Sequence, residues 1–268
     1  MELLEKLTIH YQEITNHVID YEKYNLYAIS HHSTVIEGNT LTETETQIFL
    51  DEGLTAQGKP LIHHLMLKDH LEALQFVIEK ASEKQDLNIS FIKEIGSLVM
   101  KNTGTAHNTA LGTFDSCKGD FRLLNVSAGI GGKSYLNYSK VPAAMEALCA
   151  EFGKNLGADL SLTDINDLAF LLHYQFVTIH PFADGNGRTG RLLMNFVQAS
   201  YNKPLTMISS KNKVGYIESL VQTRKQENIE IFLNFMREQH LAYLKQEIER
   251  LSDTTPPKKN FRGLGLFF

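Results

Sequence analysis

Apolar side chains recur at three- and four-residue spacing along most of this chain, the repeat that gathers them on one face of an α-helix. Leu67, Leu71, Leu74, Ile78 and Ala81 form one such row, with charges between them. Ile165, Leu168, Ala169, Leu172 and Phe176 form another, opened by Ser161-Leu162-Thr163-Asp164, a loose capping box. Ile229, Phe232, Leu233, Met236, His240, Tyr243, Leu244, Ile248 and Leu251 predict a long helix towards the C-terminus. Further helices are expected near 2–17, 22–37, 42–52, 90–101, 141–155, 187–201 and 211–222. The expected fold class is mainly α, a helical bundle.

One segment breaks the rhythm. Between 119 and 139 the chain holds Gly119, Gly129, Gly131 and Gly132 with Tyr135 and Tyr138. Phe121-Arg122-Leu123 and Ile130 are short extended-type pieces among these glycines, so a β-hairpin or flap is expected here. From Ser252 onward the chain contains Pro256-Pro257-Lys258-Lys259 and is expected to be a loose tail, ending in Phe267-Phe268.

Composition narrows the classes. The chain has 268 residues, 43% of them hydrophobic, enough for a core that needs no staples. A net charge of -5 lacks the basic excess of a general nucleic-acid binder. Cys117 and Cys149 have no CxxC spacing and read as reduced packing cysteines. Met1-Glu2-Leu3-Leu4-Glu5-Lys6 is charged where a secretory signal would be apolar. No stretch approaches the ~18 apolar residues of a membrane helix. The expectation is a cytoplasmic protein with neither nucleic-acid nor membrane partners. His31-His32 and His63-His64 read as surface or packing histidines.

The chemistry concentrates in His180-Pro181-Phe182-Ala183-Asp184-Gly185-Asn186-Gly187-Arg188-Thr189-Gly190-Arg191, between two helical rows. Pro181 ends the first helix and is expected to push His180 towards an extended backbone. Gly185 and Gly187 allow a sharp turn into the next helix, whose first N–H groups and dipole favour an anion. Asn186 is expected to add a side-chain donor. Arg188 and Arg191 lie three apart on the new helix, and two guanidinium groups beside an N–H cradle suit a polyphosphate. Asp184 is a hard oxygen ligand that with substrate phosphates suits Mg²⁺. His180 is a base with an ordinary pKa near neutrality. Phe182 reads as the loop's apolar anchor. Together these residues suit transfer at a phosphate. Two other motifs fail on context. Gly185 to Gly190 satisfies GxGxxG but has helical rows on both sides, and the P-loop-like Gly129 to Ser134 has Ser127 where its first glycine belongs.

The stretch 180–191 resembles the Fic family signature, HPFx[D/E]GNGRxxR, at every specified position. The resemblance extends over roughly 85–240 and implies the Fic fold, a helical bundle with a small β-hairpin flap. It implies 1–84 as an N-terminal helical region, 85–251 as the Fic domain with its C-terminal helix, and 252–268 as a tail. The activity implied is protein adenylyltransfer, AMP moving from ATP to a Tyr, Thr or Ser hydroxyl. By position, His180 would be the base and Asp184 the Mg²⁺ ligand. Gly185, Asn186 and Gly187 would form the anion hole, with Asn186 on the α-phosphate. Arg188 would meet the β-phosphate and Arg191 the γ-phosphate. The flap, about Leu124–Tyr138, would dock an unidentified target protein by strand addition.

Ser33-Thr34-Val35-Ile36-Glu37-Gly38-Asn39 closes an expected helix, and a carboxylate there opposes the helix dipole. The stretch resembles the (S/T)xxxE(G/N) inhibitory motif of Fic proteins, with Ser33 and Glu37 in the defining positions. That resemblance implies that Glu37 pairs with Arg191 and holds the enzyme inactive. Removal of AMP, transfer of another nucleotide-derived group, or a non-catalytic nucleotide-sensing role are the alternatives. A homo-oligomer stays open.

Overall fold

The computed structural model describes residues 2–128 and 134–254. Ten α-helices lie among them: α1 (Glu2–Thr15), α2 (Tyr21–Ile36), α3 (Glu43–Glu52), α4 (Leu61–Ser82), α5 (Ile89–Val99), α6 (Val141–Gly153), α7 (Leu162–Ile179), α8 (Asn186–Ser200), α9 (Lys213–Gln226) and α10 (Glu230–Thr254). Each corresponds to a helix expected from the apolar rows. Local chemistry accounts for several ends. Ser161 Oγ accepts the Asp164 N–H at 3.2 Å, an N-cap contributing roughly 1 kcal/mol. Thr42 and Glu45 form a reciprocal capping box before α3.

The central helix is α8, packed mainly against α7 and α4. Its residues from Arg188 to Gln198 are all buried, although many are polar. A helix enclosed on all sides must satisfy its polar groups internally. Gln198 donates to Asn166 Oδ1 at 2.8 Å and Thr206 Oγ1 at 2.6 Å, and accepts the Thr206 N–H at 2.7 Å. Around it one apolar core joins Leu26, Ile29 and Ile36 of α2 with Leu74, Phe91, Phe176, Phe196 and Phe232. Each such side chain contributes roughly 2–3 kcal/mol by leaving water. Thus α2 shares the core of the 85–251 region. A smaller cluster of Tyr11, Tyr21, Tyr243, Leu244 and Leu251 joins α1 and α2 to α10.

The regular sheet differs from expectation. Strands β1 (Ala106–Thr109) and β2 (Gly112–Asp115) form an antiparallel hairpin upstream of the glycine-rich segment. Among the described residues of 119–139 the strand pairing consists of a bridge between Ser127 and Ser134, with a Tyr135 N–H bond to Val126 O at 3.0 Å. Residues 129–133 of the expected flap and Phe267-Phe268 of the expected tail lie outside the described residues. Among the described residues no helix is long and apolar enough to cross a membrane.

Candidate active site

The loop 180–185 joins α7 to α8 and is anchored as its sequence suggests. Phe182 is buried between Phe121 and Phe176, at 5.7 and 6.0 Å between ring centroids. His180 caps α7 with φ 55° and ψ 61°, a left-handed and not an extended residue. Pro181 excludes the right-handed helix at His180, and the left-handed alternative lets the His180 N–H reach Phe176 O at 3.0 Å. The imidazole is half-buried and stacks on Tyr135, with centroids 3.8 Å apart and rings 15° from parallel. Its Nδ1 is buried, and the Val177 main chain lies within reach of the ring. Burial pushes the His180 pKa down to about 4, with the Arg122 and Arg224 charges adding to the shift. The imidazole is therefore neutral at ordinary pH.

Gly185 begins α8 with φ 81°, which favours glycine. The helical ladder starts at Thr189, whose N–H donates to Gly185 O at 2.9 Å. The N–H groups of Asn186, Gly187 and Arg188 precede it, at the positive end of the dipole. The Asn186 side chain does not face this cradle. Its Oδ1 accepts the Phe182 N–H and its Nδ2 donates to Phe182 O, both at 2.9 Å. This corrects the expectation of a free side-chain donor: a short amide buried beside two unpaired main-chain groups bonds them first. Asn186 therefore bears on the cradle through its main chain and by holding the loop's shape.

The two arginines part company. Arg188 is buried, 3.4 Å from Val99 O and 3.3 Å from Met100 Sδ. Its Nε has no partner, and Asp184 Oδ1 lies 3.6 Å from its Nη2. Asp184 is itself 72% exposed and accepts the Gly185 N–H at 2.6 Å. Arg191, only 4% exposed, turns to α2. Its Nε donates to Ser33 Oγ at 2.8 Å, and its Nη2 to Ser33 O at 2.9 Å and Glu37 Oε1 at 2.7 Å. Its Nη1 is 3.5 Å from the Tyr216 hydroxyl, which His173 Nε2 meets at 2.8 Å.

Glu37 is the C-cap of α2, and Gly38 turns the chain away with φ 102°. A third of the Glu37 side chain is exposed, but its carboxylate end is set among protein atoms against Arg191 and Gly187. Burial opposes its ionisation, yet the charge and hydrogen bond of Arg191 outweigh burial and hold its pKa below the usual carboxylate range. Arg191 rises correspondingly, its partner's charge overcoming its own burial.

One structural residue escaped sequence reasoning. Arg122, fully buried, donates to His180 O at 2.8 Å, Leu124 O at 2.7 Å and Leu136 O at 2.5 Å. Its N–H also donates to Pro181 O at 3.0 Å. It thus joins both arms of the glycine-rich segment to the loop bearing His180. Beside Tyr135 a cavity of about 490 Å³ is lined by Leu136, Thr178, Ile179, Thr223 and Arg224. A larger one, about 990 Å³, lies between α1, α2 and α4, away from this chemistry, so size alone does not locate the site.

A helical bundle that presents a His-Pro-Phe loop leading into a glycine-opened helix N-terminus defines the class of fold. This chain belongs to the Fic/DOC family, whose model matches residues 86–198. It is 30% identical over 209 residues to the protein adenylyltransferase Fic of Drosophila melanogaster, covering 77% of this chain and 39% of that protein. With the protein adenylyltransferase Fic of Nematostella vectensis the identity is 31% over 211 residues, covering 77% and 45%. The chain therefore spans less than half the length of these relatives. Its structure resembles that of a Fic domain containing signaling protein from Bacteroides thetaiotaomicron, with TM-score 0.78, 26% identity, and coverage of 95% of this chain and 99% of that one. Fic-1 (residues 134–508) from C. elegans shares the fold, with TM-score 0.71 at 22% identity, over 95% of this chain and 73% of that one.

Proposed function

We propose that this protein transfers AMP from ATP to a hydroxyl side chain of a target protein, and that Glu37 restrains the reaction. The observation that carries this reading is the capture of Arg191 by Ser33 and Glu37 beside the N–H groups that open α8. A guanidinium saturated by a carboxylate cannot also make full contact with a terminal phosphate. The Glu37 carboxylate occupies the anion cradle as an internal substitute for that phosphate.

On this reading the target hydroxyl oxygen attacks the α-phosphorus. A P–O bond forms there, the bond to the β-phosphate oxygen breaks, and pyrophosphate leaves. The hydroxyl proton passes to His180, which burial keeps neutral and so leaves a ring nitrogen open to it. The N–H groups of Asn186 and Gly187 face the phosphate charge, and that of Gly185 joins them when it leaves Asp184 Oδ1. Arg188, buried with an unpartnered Nε, gains its missing acceptor from the β-phosphate. Asp184, an exposed hard-oxygen donor beside the cradle, fits Mg²⁺, which when bound would neutralise phosphate charge. The target docks along the 124–138 flap, and Tyr135 leaves the face of His180 to admit it.

The test uses α-labelled ATP and Mg²⁺ with the full chain. Glu37→Gly is expected to label itself or host proteins about tenfold or more above wild type, and His180→Ala in that background to label nothing while still binding ATP. Equal labelling of wild type and Glu37→Gly would remove the restraint; labelling that survives His180→Ala would remove the base. The retained Glu37 carboxylate also favours a second reading, removal of AMP with Glu37 orienting water. Release of AMP from a modified target by wild type but not by Glu37→Gly would favour it.

A further inference from the structure

Asp69 of α4 is a wholly buried carboxylate whose partners are amides. Its Oδ2 accepts the Asn102 main-chain N–H at 2.8 Å, and its Oδ1 accepts from Asn102 Nδ2 at 2.5 Å. Acceptance at both oxygens is the pattern of an ionised carboxylate. Burial pushes the Asp69 pKa up, and the two bonds from Asn102 pull against it. Asn102 lies in the tight turn after α5, where the Thr103 and Gly104 N–H groups both bond Met100 O, at 3.3 and 2.7 Å. Val99 and Met100, at the end of α5, form a shelf for Arg188, whose guanidinium meets Val99 O at 3.4 Å and Met100 Sδ at 3.3 Å. The same shelf lies against Gly185, where a Cβ would stand 2.9 Å from Met100 Sδ and 3.2 Å from Val99 Cγ1.

We propose that Asp69 is a positioning residue for Arg188: by gripping both donors of Asn102 it fixes the turn after α5, and with it the shelf that aims the guanidinium at the start of α8. The inference rests on the reading that Arg188 meets the β-phosphate. Contacts as long as those from Arg188 to Val99 O and Met100 Sδ direct the group by shape more than by bond strength. Its one carboxylate neighbour within 4 Å, Asp184, is exposed and 3.6 Å away, so it fixes the guanidinium weakly. The place of the shelf therefore sets the place of the charge. The buried Asp69 carboxylate also favours the charged form of Arg188. A plainer role for Asp69 is to tie α4 to the turn. That tie is already made at the surface, where Lys101 Nζ meets Glu72 Oε2 at 2.8 Å. An apolar contact would serve the same end without the cost of burying a charge. What the carboxylate adds is direction, since it takes two donors of one residue at once.

The test is isothermal titration calorimetry of the full chain carrying Glu37→Gly, with AMP and with ADP in the presence of Mg²⁺. Asp69→Asn keeps the side-chain shape but turns an NH₂ group towards one of the Asn102 donors. It is expected to weaken ADP about fivefold or more and AMP by less than about twofold. Asp69→Asn combined with Asn102→Asp rebuilds both hydrogen bonds, one of them reversed, and places the carboxylate at an exposed position. This exchanged pair should return ADP to within about twofold of the parent. Glu72→Gln, which loosens only the surface tie, should leave both affinities unchanged. Equal loss of AMP and ADP, undiminished ADP affinity in Asp69→Asn, or no recovery in the exchanged pair overturns the proposal. The Arg188 Nε–H signal in proton–nitrogen NMR gives a readout without nucleotide. Asp69→Asn should move it and the exchanged pair should return it, and an unmoved signal overturns the proposal. A parent that binds ADP no tighter than AMP would instead remove the β-phosphate from the reading of Arg188, and the NMR signal would still decide the role of Asp69.

Discussion

The carboxylate of Glu37 lies where a side chain on residue 187 would begin. A Cβ built on Gly187 would clash with Glu37 Oε1 and stand 3.2 Å from Arg191 Nη1. The two residues are far apart in sequence, yet each sets the other's room: Gly187 leaves the space and Glu37 fills it. A carboxylate from a distant segment thus lies against the first turn of α8.

Gly187→Ala should destabilise the protein by on the order of 2 kcal/mol while Glu37 is present, because the ion pair must shift. In a Glu37→Gly background the same change should be close to neutral, since alanine is the better helix former. Urea unfolding of the four proteins in a double-mutant cycle measures the coupling. Strict additivity would mean that the carboxylate does not occupy this space.

Ser33→Ala removes the acceptor for Arg191 Nε and leaves a buried guanidinium short of one bond, a loss of roughly 1.5–3 kcal/mol. The restraint should be partly released. Labelling from α-labelled ATP is expected between the wild-type and Glu37→Gly levels. Labelling at or below the wild-type level would show that Ser33 only supports the fold.

Arg122→Met leaves three part-buried carbonyls, those of His180, Leu124 and Leu136, without their donor. A loss of about 3 kcal/mol is expected, with lysine a poor substitute because it lacks the planar fork. Hydrogen exchange should quicken at Tyr135, whose N–H bonds Val126 O, before it quickens in α8. Unchanged exchange at Tyr135 would contradict the role of Arg122 as the clasp of this segment.

Acid should begin to destabilise the fold while most carboxylates are still ionised. Burial lowers His173 to about 3, and His32 and His240 to about 4, against about 6.5 for histidine in an unfolded chain. Between these values the unfolded state binds more protons than the folded one, so stability is full above pH ~6.5 and declines as pH falls towards ~4. Urea midpoints at a series of pH values test this. A flat profile across that window would mean the histidines are protonated in the folded state.

The ten helices are legible in the sequence because each is long enough for several returns of the apolar period, and their ends carry caps such as Ser161 and stops such as Gly38. The hairpin at 106–115 is not legible. Ala106-His107-Asn108-Thr109 is short and polar, so pairing and not pattern makes it a strand. The glycines of 119–139 carry the more visible turn signal, yet the described residues there make one bridge.

The candidate site divides along the same line. His180, Asp184, Gly185, Gly187, Arg188 and Arg191 sit on one continuous loop and helix start, so their order in the chain already specifies their neighbourhood. Contacts between distant segments required the packed molecule. Arg191 meets Glu37 across 154 positions because α2 lies over the start of α8. Arg122 looks like any surface cation until the His180 and Leu136 carbonyls of two other segments join that of nearby Leu124 around it, and Asn186 looks like a free donor until Phe182 takes both ends of its amide. Local chemistry is written in residue order, whereas partners for a buried charge or amide depend on which main-chain groups folding leaves unpaired nearby.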